Sequence, residues 1–216
     1  MAIDGYHYIL TAAHVWENVL KPANKLGISL RETVDHRCLM DIGAITHFGP
    51  SRPSTWNEWG PDMIFLRIPD VHVGEIEAFR VFYRLATERR NRLDNGHIET
   101  HLLMGTPHAL GTFSQNHASV QIVGFMAHPP TSHIRDGFDY LDVEVRMPPP
   151  NAAGTFGGVS GGGLWKVCVH SDPSTGAIDS LAVLQGVAFY ELDVNRGLGT
   201  IRCHGLASIR SSLPIS

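Results

Sequence analysis

Residues 140–147 read YLDVEVRM, and their alternation decides the fold class. Leu141, Val143, Val145 and Met147 fall on one face of an extended strand and acidic or basic groups on the other, a period of two that suits a sheet with one buried face. Similar short apolar runs recur over residues 6–12, 63–68, 101–104, 120–125, 164–170 and 181–190, divided by clusters of Gly, Pro, Asn and Asp. Strands of this length and spacing predict an all-β antiparallel barrel or sandwich. One segment departs from the pattern. Residues 74–93, GEIEAFRVFYRLATERRNRL, place Ile76, Phe79, Tyr83 and Ala86 at helical intervals and carry Arg84, Arg89, Arg90 and Arg92 before the stop Asp94-Asn95-Gly96. A helix ending near residue 95 is therefore expected between two β halves, 1–95 and 96–216.

Composition narrows the function classes. A chain of 216 residues with 43% hydrophobic content can bury a sizeable core as one large or two small domains. The net charge of -4 and a pI near 6.3 come without a basic run, which argues against a nucleic-acid partner. Apolar stretches stay well short of the roughly 20 residues of a membrane span, and MAIDGYHYILTAAH at the start lacks the parts of a secretion signal. A soluble cytoplasmic protein without a membrane partner is expected. Cys38, Cys168 and Cys203 are odd in number, far apart and outside any C-x-x-C pair, so reduced thiols are expected rather than a disulfide framework or a zinc site. No metal or cofactor is implied.

Residues 156–165, FGGVSGGGLW, raise the question of chemistry. Glycine inside a strand or helix costs roughly 0.5–1 kcal/mol relative to alanine, so five around one serine suggest a purpose. A flexible loop, a phosphate cradle and a turn exposing Ser160 as a nucleophile all compete. The phosphate cradle fails on spacing, because Lys166 follows Trp165 and leads into Val167-Cys168-Val169. Gly158-Val159-Ser160-Gly161-Gly162 matches G-x-S-x-G, the nucleophile elbow of α/β-hydrolases. That fold requires its acid and histidine after the serine and a helix directly behind it, whereas Gly161-Gly162-Gly163 leads into a strand-like run. The order His, Asp, Ser is present instead. His14 follows a strand and two alanines, and Asp62 stands at the mouth of the apolar run MIFL, where a buried carboxylate needs a partner such as a histidine N–H. His97 and His101 have helical spacing for a metal but sit at a predicted strand entry and lack a nearby acid with ligand geometry.

Thr11-Ala12-Ala13-His14, Asp62 before its apolar strand, and Gly158-Val159-Ser160-Gly161-Gly162 together resemble the trypsin-like (chymotrypsin-fold) serine peptidases, particularly their disulfide-free intracellular or bacterial members. The resemblance implies two six-stranded antiparallel β-barrels with the active site in the cleft between them, the second opening at residues 101–107. It implies Ser160 as nucleophile, His14 as general base and acid, Asp62 as the residue orienting His14, and the N–H groups of Gly158 and Ser160 as an oxyanion hole, acting on a protein or peptide substrate. Thr155, Phe156, Ala188, Phe189, Tyr190 and Gly205 would line the pocket for the residue before the scissile bond. With Gly154 or Thr155 at the pocket base, a small or apolar residue is expected there, although Glu191 could rim the pocket and readmit a cation.

The chain also departs from the family pattern. Val159 replaces the Asp that pairs with a newly cut N-terminus, so that activation is not expected, and Val15 replaces a cysteine. Family domains usually carry about two further strands before the TAAH strand. The first barrel is therefore expected to be incomplete, or closed by a partner chain or an upstream segment. Phe189 falls where many members place a serine bonded to the catalytic Asp, so Asp62 needs other donors, for which the backbone near His14 is the expected source. A catalytically silent pseudopeptidase, using the same barrels to bind peptides or scaffold, is the alternative reading.

Overall fold

The computed structural model describes residues 1–31, 36–50, 58–85, 98–108, 112–113, 118–119, 122–146, 156–195 and 198–213. The N-terminal half contains β1 (Ala2–Ile3), β2 (Tyr6–Thr11), β3 (Lys25–Ser29), β4 (Arg37–Asp41), β5 (Thr46–Phe48) and β6 (Ile64–Arg67). Four of them form one open sheet in the order β1-β2-β6-β5, while β3 and β4 pair only with each other. The ribbon packs instead as a second layer, because Leu26, Cys38 and Met40 turn inward onto Ile64 and Leu66 of β6. Of the two six-stranded barrels that the resemblance implies, the first of them expected to be incomplete, this one is not closed among the described residues: the half is an open four-stranded sheet covered by a two-stranded ribbon.

The C-terminal half holds β7 (Ile98–Gly105), the short pair β8 (Thr112–Phe113) and β9 (Ala118–Ser119), β10 (Val123–Ala127), β11 (Thr131–Arg135), β12 (Phe138–Arg146), β13 (Gly163–Ser171), β14 (Ile178–Asn195) and β15 (Leu198–Gly205). Six of these close a ring, β10-β7-β13-β14-β15-β12 and back to β10 through Ala127 and Val145, with every pairing antiparallel. Its core is Leu103, Phe125, Val143, Val145, Leu164, Ala188, Ile201 and Cys203, plugged by Phe156 and Val159 from the glycine loop. The protein is therefore all-β with one closed six-stranded barrel. Leu141, Val143 and Val145 of the apolar face read from residues 140–147 do point into the barrel, while Met147 lies outside the described residues; their neighbour Tyr140 is also buried, against the N-terminal half.

Three short α-helices, α1 (Ala13–Val15), α2 (Asp70–Glu77) and α3 (Leu206–Ser211), together with a π-helical turn (Trp16–Leu20) and a 3-10 turn (Ile42–Ala44), complete the described chain. The helix expected over 74–93 is corrected, because α2 begins earlier and ends at Glu77. Beyond it the chain is drawn into other contacts: the Tyr83 carbonyl accepts from the Ala2 N–H at 2.8 Å, its hydroxyl accepts from the Leu184 N–H at 3.2 Å, and its ring lies edge-on to Trp165. Long-range pairing with two strands overrides the local helical period. Arg84 lies in an isolated β-bridge with Ala2 rather than on a helix, and Arg89, Arg90, Arg92 and the boundary at 95 lie outside the described residues. Cys38, Cys168 and Cys203 are free and buried. Among the described residues, no helix is long and apolar enough to cross a membrane.

Candidate active site

β2 ends at Thr11, and the two small residues that follow let the next turn press against the barrel. Ala12 is fully buried beneath Tyr140 and Phe189, where anything larger than a methyl would push the halves apart. His14 comes next, on α1, with about a quarter of its side chain exposed. Asp62 enters from the other side, immediately before β6, and is 0% exposed. Its Oδ1 accepts the His14 backbone N–H at 2.9 Å, and its Oδ2 lies 2.5 Å from His14 Nδ1. A carboxylate this desolvated is costly unless paired, and both oxygens find donors on one residue. With Nδ1 donating to the carboxylate, the imidazole keeps its lone pair on Nε2. The backbone donor near His14, expected from the sequence, is the His14 N–H itself.

The serine turn is anchored on both sides. Phe156 and Val159, each worth about 1.5–3 kcal/mol when buried, plug into the barrel core. The Gly157 carbonyl accepts from the His108 N–H at 2.7 Å, and Gly161 and Gly162 exchange hydrogen bonds with Ala188 at 2.7 and 2.8 Å. Gly158, at φ +92°, needs glycine twice over, since a Cβ there would also stand 2.7 Å from the His108 N and Thr106 O atoms. Among the described residues, neither the Gly158 nor the Ser160 N–H takes part in a hydrogen bond, and Gly158 faces solvent. Ser160 is partly exposed, its Oγ donating to the Phe189 carbonyl at a long 3.5 Å. The turn abuts the strand that leads to His14, because a Cβ on Gly161 would strike the Thr11 hydroxyl. His14 and Asp62 are thus bonded, and Gly161, the residue after Ser160, is brought up against the same strand end.

Sequence reading missed His204. Asp62 donates its backbone N–H to His204 Nε2 at 2.9 Å, which leaves the proton of this fully buried imidazole on Nδ1, without a partner among the described residues. Burial is the main reason its pKa is lowered to about 4, with the Asp62 and Asp139 carboxylates pulling the other way. Phe189 explains the setting. It is the extra residue of a β-bulge between the Ala188–Cys203 and Tyr190–Arg202 pairs, and its ring stacks on His204 with centroids 4.3 Å apart. The loop before Asp62 is fastened by the same outer face of the barrel. Tyr140 Oη donates to the Trp59 carbonyl, and Arg202 donates to the Glu58 carbonyl at 3.2 Å, stacks on the Trp59 ring and forms two 2.7 Å bonds with the Asp142 carboxylate. Tyr140 pairs with His204 and Asp142 with Arg202 in the β12–β15 ladder, so four alternating positions build this anchor.

The residues expected to line a specificity pocket separate. Phe156 packs edge-on against Phe125 in the barrel core, Ala188 is buried there too, and Phe189 backs His204. Their side chains fill the interior. Gly205 packs on the Asp139 carboxylate, which binds the Ala207 and Ser208 N–H groups of α3. Tyr190 is partly exposed, and Glu191 is committed to the Phe156 N–H at 2.7 Å. Gly154 and Thr155 lie outside the described residues. No protein-family model matches this chain, and no curated protein matches it.

Proposed function

We propose that this protein is a serine endopeptidase of the trypsin-like kind. The observation carrying this reading is the Asp62 carboxylate, buried completely with both oxygens on His14, beside the glycine turn that presents Ser160. In this reading Ser160 Oγ attacks the scissile carbonyl as His14 Nε2 takes its proton, and His14 then returns that proton to the leaving amine. Asp62 holds the tautomer and stabilises the imidazolium. General-base help of this sort contributes on the order of 10²–10⁴-fold. The N–H groups of Gly158 and Ser160 would receive the negative oxygen of the tetrahedral intermediate, where each donor is worth on the order of 10²–10³-fold. The open sheet and ribbon would stand in place of the first trypsin-like barrel.

A fluorophosphonate probe tests this directly. Labelling of the wild type that is lost in both Ser160→Ala and His14→Ala is the expected result. A folded wild type that resists the probe would remove the catalytic reading and leave the barrel as a peptide-binding module.

A further inference from the structure

Away from this site, three side chains of different ligand chemistry meet where β4 faces α2. Cys38 on β4 is fully buried, and its Sγ lies 3.5 Å from His72 Nδ1. The same His72 nitrogen lies 3.8 Å from Glu75 Oε2, and all three donor atoms fall within 4.8 Å of one another. His72 and Glu75 are three residues apart on α2, so one helical turn presents both toward the strand. Tetrahedral zinc, with Zn–S near 2.3 Å and Zn–N or Zn–O near 2.0–2.2 Å, sets neighbouring donors roughly 3.3–3.8 Å apart. The Cys38–His72 and His72–Glu75 separations already meet that spacing.

We propose that Cys38, His72 and Glu75 bind one Zn²⁺ ion, with water as the fourth ligand. One sulfur, one nitrogen and one carboxylate oxygen form a set suited to zinc, whereas Mg²⁺ and Ca²⁺ take oxygen ligands. His72 and Glu75 side chains are 26% and 49% exposed, which gives the ion an entry and the water its place. Cys38 binds as thiolate, and its proton passes to solvent as the Zn–S bond forms. Cysteine spacing could not reveal such a site, because only one ligand is a cysteine and the others lie more than 30 residues away (72 − 38 = 34). Its effect is mechanical: the ion ties α2 to the β3–β4 ribbon, which among the described residues pairs with no strand of the neighbouring sheet.

The test loads the purified full chain with Zn²⁺, removes the excess, and measures bound zinc and the thermal midpoint; a parallel sample takes Co²⁺. The expected results are one zinc per chain, a raised midpoint, and a thiolate-to-cobalt charge-transfer band with tetrahedral d–d absorption. Cys38→Ser abolishes the band. Since replacing a buried thiol could unfold the chain, Glu75→Gln on the half-exposed helix face provides a second variant. It weakens zinc binding by more than the roughly 10–100-fold that loss of a merely supporting group costs. A wild type that retains no zinc, a cobalt spectrum without the sulfur band, or unchanged affinity in folded Glu75→Gln would each overturn the site.

Discussion

The two halves of this molecule handle strand edges in opposite ways. In the C-terminal half, each of six strands has a partner on both sides and the ring has no free edge. In the N-terminal half β1 and β5 end an open sheet, and among the described residues the β3–β4 ribbon packs on it through side chains. The candidate residues are divided between them, His14 and Asp62 on the open half and Ser160 on the barrel. The contrast shows where positional accuracy comes from. Asp62 does not rely on its own short strand, since Tyr140, Arg202 and His204 reach across from the barrel's outer face to hold the loop in front of it. The closed half supplies the rigidity that the open half lacks.

The most damaging break in that arrangement is Arg202→Leu. Removing the cation leaves the partly buried Asp142 carboxylate with only its 3.1 Å contact to His133 among the described residues, and frees the Glu58–Trp59 loop, which should lower the unfolding free energy by about 3–5 kcal/mol. Urea unfolding measures it, and Arg202→Leu/Asp142→Leu should recover much of the loss by removing the stranded charge. A single variant within about 1 kcal/mol of wild type would end the idea that the barrel anchors the open half.

Next in size is an acid sensitivity carried by His204. Its pKa in the folded chain is lowered to about 4, whereas an unfolded histidine titrates near about 6.5. The unfolded state therefore takes up the proton first, so this contribution is fully present above about pH 6.5 and is lost as pH falls toward 4. The loss is on the order of 3 kcal/mol. Urea midpoints at neutral and acidic pH should fall less steeply in His204→Asn than in the wild type. Matching pH profiles would assign the sensitivity elsewhere.

The smallest effect sharpens the comparison. Tyr140→Phe removes one hydrogen bond to the Trp59 carbonyl but keeps the ring, which meets Trp59 edge-on at 5.5 Å. A loss of about 1 kcal/mol is expected in the same unfolding assay. A much larger loss would mean that the hydroxyl, rather than the packed ring, carries the anchor.

What was legible in the sequence follows the same division. β12 could be read because its inward face is unbroken, Leu141, Val143 and Val145, while charged residues alternate with them. β15 has the same alternation through Ile201 and Cys203, but Arg202 and His204 between them look like solvent-facing residues. They are buried only because a loop more than 140 positions earlier folds over them, and no local pattern records that (202 − 58 = 144). The His14, Asp62 and Ser160 positions were visible because each sits at a strand end with distinctive neighbours. The side chains around them were harder to place. Phe156 and Phe189 read as pocket walls, yet a plug turns Phe156 into the barrel core and a bulge buries Phe189 against His204 on the barrel's outer face. The helical period of Phe79 and Tyr83 was real as a pattern, but pairing with β1 and packing against β13 and β14 outweighed it.

The anchor at residues 202 and 204 also sets an order of events during synthesis. Ribosomes make the chain from its first residue onward, so His14, Asp62 and the Ser160 turn all exist before β15 does. Until that strand is made, the loop before Asp62 lacks two of the groups that fasten it. If the proposed chemistry holds, a nascent chain carries its nucleophile and base without a secured acid, and hydrolytic competence arrives only after the barrel has closed.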